Sequence, residues 1–94
     1  MKIRLTPRAL QQLLSAHEYL QATSSSAAAS QMKRILSSID LLERFPSAGR
    51  RGRIAGTREM VVPRTPFIVA YAIIGKEIQV LAILHASQRW PESL

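Results

Sequence analysis

Residues 67–85 read "FIVAYAIIGKEIQVLAILH". Two runs rich in β-branched and aromatic residues flank Gly75 and Lys76, and a dipeptide of that kind between two such runs predicts a two-residue hairpin turn. With that loop length, Phe67, Val69, Tyr71 and Ile73 share a face with Ile78, Val80, Ala82 and Leu84. The other face carries Ile68, Ala70, Ala72, Gln79, Leu81, Ile83 and His85, which is less bulky and ends in a titratable group. The bulkier face calls for a covering layer of helix.

The chain upstream supplies it. "REMVV" reads as a further strand, joined to the hairpin by the turn "PRTP" and preceded by the loop "PSAGRRGRIAGT". Before that loop, Met32, Ile35, Leu36, Ile39 and Leu42 recur at helical spacing, with Lys33, Arg34, Ser37 and Asp40 on the opposite face. This helix ends around Phe45, because Pro46 disfavours a helical conformation in the residue before it. A first helix carries Leu10, Leu13, Leu14, His17 and Leu20 on one face to about residue 22, with Thr6 as N-cap and Pro7 at the first helical position. The hydroxyl-rich "ATSSSAAAS" links the two, and so short a connection predicts an antiparallel helix hairpin. "MKIRLT" alternates like a short strand with one wet face. The expected fold is α+β in the order β-α-α-β-β-β, with the N-terminal strand and the helix hairpin packed on one face of a small antiparallel sheet.

Ninety-four residues make one domain, spanning 1–94, with no room for a second. The absence of cysteine excludes disulfides and thiolate metal sites and suits a reducing cytoplasm. His17 and His85 are far apart and belong to no cluster of carboxylates, so no metal and no cofactor is expected. "FIVAYAII" is too short to span a bilayer, and "MKIRLTPRAL" lacks the apolar core of a signal peptide, so the expectation is a soluble cytoplasmic protein without a membrane partner.

Thirteen Lys and Arg against six Asp and Glu leave a formal charge of +7. Between Arg44 and Arg64 lie six arginines (Arg44, Arg50, Arg51, Arg53, Arg58 and Arg64) and one acid, Glu59, a local excess of five positive charges. Most charge runs are solvated faces. Arginine dominates this one, however, and its planar fork pairs bidentately with phosphate or carboxylate, which favours a binding surface. Gly49, Gly52 and Gly56 punctuate the run, but no GK[ST] follows and a helix precedes it, so it is not a nucleotide-binding loop. His17 reads as a boundary residue of the first helix. His85, beside Arg89 at a strand end, suits either a group titrating near neutrality or a structural hydrogen bond. Trp90 with Pro91 suits a plug over the sheet end better than a base-stacking platform.

The order strand, two helices, basic loop, "GTRE", "TPFIVAYAI", "ILHASQRWP" resembles the RelE/ParE superfamily of toxins from bacterial toxin–antitoxin modules, and the resemblance covers nearly the whole chain. It implies a growth-inhibiting toxin of the plasmid-stabilising kind, neutralised by a cognate antitoxin that wraps it with acidic and apolar segments. RelE-like members resemble ribosome-dependent mRNA endoribonucleases, whereas ParE-like members inhibit DNA gyrase. For a nuclease the available proton-transfer groups are His85 and Glu59, with Arg58 and Arg89, and also Arg53 and Arg64, to stabilise charge. Superfamily members often carry Arg where this chain has Ala72, and many nucleases of the group have a longer basic tail. The ending "ILHASQRWP" looks ParE-like, so gyrase is the expected target, with the ribosome and its mRNA as the alternative. In either case Arg50, Arg51, Arg53, Arg58, Arg64, Arg89 and Trp90 are the expected contacts to target or antitoxin. A plain nucleic-acid-binding module is the third reading, against which stands a second helix with only Lys33 and Arg34 as adjacent basic residues.

Overall fold

The computed structural model describes residues 1–94 as β1 (Lys2–Leu5), α1 (Pro7–Thr23), α2 (Ser25–Arg44), β2 (Arg50–Arg51), β3 (Arg58–Val61), β4 (Phe67–Ile74) and β5 (Glu77–His85). They form a five-stranded sheet in the order β1-β5-β4-β3-β2. The α+β class and the helix-covered sheet stand as expected. Two features were not anticipated. The sheet is mixed, because β1 pairs parallel to β5, with Lys2 opposite Glu77 and Leu5 opposite Val80. The helix pair between β1 and the rest supplies the long crossover that a parallel neighbour needs. The basic loop also contributes a strand of its own, the short β2.

Gly75 has φ +60° while Lys76 does not enter the left-handed region, so the β4–β5 turn takes its positive φ at the first central position, as a type II′ hairpin does. From this turn Ile73 pairs with Ile78 and Tyr71 with Val80. The register then slips: Ala70 pairs with Ala82, leaving Leu81 as an extra residue in β5. The expected faces are corrected at this bulge. Ile83 joins Phe67, Val69 and Val80 beneath the helices, while Ala82 and Leu84 turn to the outer face with Ala70. His85, expected on the outer face, sits opposite Phe67 on the helix side. Side chains from the N-cap and second turn of α1 occupy backbone groups at the bulge. Thr6 Oγ1 donates to the Leu81 carbonyl at 3.2 Å, and Gln12 Oε1 accepts from the Ile83 N–H at 2.8 Å.

These two anchors also fix the rotation of α1. Ala9 and Leu13 are buried, with Ala16 and Leu20 beside them, whereas Leu10 and Leu14 are half exposed and His17 is exposed. The buried stripe is therefore displaced by about one residue from the one that leucine spacing predicts. A Leu-rich stripe is the stronger apolar signal, but Gln12 must face β5 to reach its N–H. Thr6 caps α1 by accepting from the Ala9 N–H, and Ser24 alone joins the helices, capping α2 by accepting from the Ala27 N–H. Ile35 and Ile39 of α2 complete the core against Val62, Phe67 and Val69. Tyr71 is fully buried, and its hydroxyl donates to the Pro46 carbonyl at 2.7 Å and accepts from the Gly49 N–H at 2.9 Å. That brace ties the segment leaving α2 to the middle of the sheet.

Candidate binding surface of arginines and tail

The basic loop is shaped by its own turn chemistry. Gly52 N–H donates to the Thr57 carbonyl, and the Thr57 hydroxyl donates to the Ile54 carbonyl at 2.6 Å. A side chain at Gly52 would collide with Thr57, and Gly56, with φ +80°, takes the left-handed position that glycine permits. The loop closes over Glu59, which pairs across β2–β3 with Arg50.

Glu59 is the organiser of the surface. Its carboxylate is 2% exposed and accepts from the Arg53 backbone N–H at 2.7 Å, Arg53 Nε at 3.2 Å and Arg50 Nη2 at 3.2 Å. Burial alone would raise its pKa. The Arg53 backbone and guanidinium, with Arg50, more than offset that and hold the carboxyl below its ordinary value. A carboxylate so held is a poor proton acceptor at neutral pH, and its effect is to fix where two arginines point.

Arg53 is half exposed and stacks on the C-terminal segment, its Cζ 3.6 Å from the Trp90 ring centroid. Trp90 and Leu94 pack over Ala70, Ala82 and Leu84, so the residues after β5 cover the outer face of the sheet. Arg8 of α1 fastens this segment through the Ser93 carbonyl at 3.1 Å. The sheet thus has helices on one side and a strap on the other, and the arginines of the loop border the strap.

The expected site residues divide as follows. Arg50, Arg53 and Trp90 are brought together around Glu59. Arg51 is exposed in β2 and makes no ion pair. Arg58 directs its guanidinium to the Gly49 carbonyl at 2.7 Å and so holds the segment after α2. Arg89 is exposed next to Trp90, in a shallow groove shared with Arg8, Gln12 and Glu92. Arg64 lies on the β3–β4 turn, at the far end of β3 from the basic loop. His85 packs edge-on to Phe67, ring centroids 5.6 Å apart, with Nδ1 2.7 Å from Ser87 Oγ and accepting from the Ser87 N–H. It is on the helix side, whereas Glu59 pairs with Ala70 and points to the outer side. The two candidate proton-transfer groups are therefore on opposite faces of the sheet. The sequence reading missed the Tyr71 brace, whose only signal is a tyrosine in an otherwise apolar run, and the role of Glu59 as organiser, signalled by its being the single acid among six arginines.

Comparison with known proteins agrees with this architecture. A family model described as the ParE toxin of the type II toxin–antitoxin system parDE matches residues 3–90. A relative from Sinorhizobium fredii named "Putative toxin Y4kP" is 39% identical over 93 residues, covering 99% of this chain and 96% of the relative. A solved structure titled as the chromosomal ParDE toxin–antitoxin system from P. aeruginosa superposes with a TM-score of 0.82 at 25% identity, covering 90% of this chain and 95% of that one.

Proposed function

Because the chain belongs to the ParE toxin family of type II toxin–antitoxin systems, we propose that it arrests growth in the cytoplasm by inhibiting DNA gyrase until a cognate antitoxin covers it. The observation that carries the choice of target is the separation of Glu59 from His85. Cleavage of RNA through the 2′-hydroxyl needs a positioned base and acid at one phosphate. Here the carboxylate is sealed beneath two arginines and the imidazole lies across the sheet. Inhibition by occupying a surface needs fixed cations and a shaped strap instead, and those the protein has.

The antitoxin contact follows from the same surface. β2 covers only the first half of β3, so Met60 and Val61 face an edge without a partner strand, and Val61 is half exposed. An acidic segment that adds to this edge continues the line of β2 from its Arg50 end, with the free charge of Arg51 one residue further along.

The test is gyrase supercoiling and messenger cleavage on programmed ribosomes, each with wild type, His85→Ala and Arg89→Ala, after equal melting temperatures are established. Gyrase inhibition that survives His85→Ala, with no cleavage by any variant, is expected. Ribosome-dependent cleavage that falls roughly 100-fold to 10,000-fold in His85→Ala, as loss of general acid–base catalysis would cause, overturns the gyrase reading.

A further inference from the structure

Arg64 is set apart from the other arginines by its backbone. It is the one non-glycine residue with positive φ, at +61°. The Thr65 N–H returns to the Val62 carbonyl, so Val62, Pro63, Arg64 and Thr65 form a turn with proline at its second position and positive φ at its third. That is a type II turn, whose third position normally takes glycine or asparagine. The Thr65 hydroxyl secures it by donating to the Val62 carbonyl and accepting from the Phe67 N–H. An arginine kept where glycine is easier points to a demand on its side chain.

The side chain faces a basin between this turn and α2. Lys33 and Arg34 form its cationic wall and Ser30, Ser37 and Ser38 add hydroxyls, around an open volume of about 500 Å³. Arg34 is already oriented by a hydrogen bond to Ser30. No acidic or aromatic side chain lines the basin, and its only apolar wall is the ring of Pro63. Asp40 lies further along α2 in the adjoining groove, which shares Lys33 and Ser37 with the basin and is otherwise apolar, lined by Ala29, Met32, Leu36 and Ile39.

We infer that this basin is a phosphodiester-binding site which holds the backbone of duplex DNA. A backbone phosphodiester carries one negative charge and two non-bridging oxygens, so three cations and three hydroxyls suit two neighbouring phosphates of one strand, and Arg forks and hydroxyls are the usual partners of nucleic-acid backbone. Without an aromatic platform there is nothing to stack an unpaired base. No hydrophobic residue apart from the Pro63 ring enters the basin, whose carbon surface is otherwise the stems of charged and hydroxyl side chains, and protein–DNA contacts are likewise polar and positively charged. The choice of DNA as the source of the phosphate rests on the proposed action at gyrase, an enzyme that works on duplex. The basin itself does not rest on it.

Fluorescence anisotropy with a labelled mixed-sequence DNA duplex, titrated at several salt concentrations against the full-length chain, tests the site. The variant is Lys33→Gln with Arg64→Gly, which removes two cations. Glycine at position 64 relieves the left-handed backbone, so the variant should melt no lower than wild type, and lost binding then reports the site. Each phosphate contact contributes about 0.9 to the slope of log K against log salt, so the double variant should lower that slope by about 2. Arg51→Gln serves as a control outside the basin, lowering it by no more than about 1. An unchanged slope in the double variant overturns the inference. So does a variant-dependent affinity for inorganic phosphate alone or for duplex RNA alone, or a loss confined to antitoxin binding. The target question separates cleanly: basin-dependent DNA binding without gyrase inhibition keeps the site and removes the target, and full gyrase inhibition by a double variant with wild-type DNA binding does the reverse.

Discussion

A single buried carboxylate decides how the arginines of the loop are presented. Its depressed pKa makes the Glu59 contribution to stability present in full above the ordinary carboxylate range and lost as pH falls through the lowered pKa. Glu59→Gln should therefore lower stability at neutral pH by on the order of 1–3 kcal/mol. Arg50 and Arg53 are half exposed, which places the effect toward the lower end through solvent screening. The difference between variant and wild type should shrink as pH falls through the ordinary carboxylate range and close only below the lowered pKa of Glu59, where both carry a neutral group. Thermal melts of the two proteins from pH 7 to pH 3 measure it, and a gap that stays constant across that range would show that the ion pairs contribute nothing. The sequence made Glu59 conspicuous by its isolation among positive charges. It did not show that the group is sealed, because burial of a strand residue depends on which face the register assigns it and on what folds back over that face. The same limit applies to His85, whose side of the sheet was inverted by one extra residue, Leu81, in its own strand.

Among the elements, β5 and α1 together explain what was legible and what was not. The four longer strands, the two-residue turn and both helix starts follow from local chemistry: β-branched runs, Gly75, Thr6 before Pro7 and the serine at the second helix start, whereas β2, two arginines long, has no such mark. The bulge at Leu81 has no local mark, since it exists to let Thr6 and Gln12 reach the backbone of β5 across more than seventy residues of chain. Rotation of α1 follows from those contacts, and it exchanges the roles of adjacent leucines. Leu13→Ala should cost about 2–5 kcal/mol as a core truncation, while Leu14→Ala, at 51% exposure, should stay within about 0.5 kcal/mol. Chemical denaturation of the two variants distinguishes this rotation from the stripe implied by leucine spacing alone, for which both would be severe.

At the scale of the whole molecule the charge of +7 acts through its free members. Arg50 and Arg53 are committed to Glu59 and Arg58 to a carbonyl, so Arg51 is the cation of the loop whose removal alters the field without disturbing the fold. Arg51→Gln should slow association with the antitoxin few-fold at low salt and flatten the salt dependence of that rate, with little change in melting temperature. Stopped-flow mixing at several ionic strengths checks it, and an unaltered rate would move the electrostatic contact elsewhere. The topology carries a separate consequence for timing. The first strand, Lys2–Leu5, lies against Glu77–Val80, so one edge of the sheet is made of residues from opposite ends of the chain. Closing so long a loop comes late in folding, and during synthesis it must wait for β5 to appear. A nascent chain, however much of its helix pair has formed, cannot yet present the finished surface, and the interval between translation and docking of β1 is time in which an antitoxin already made can be at hand.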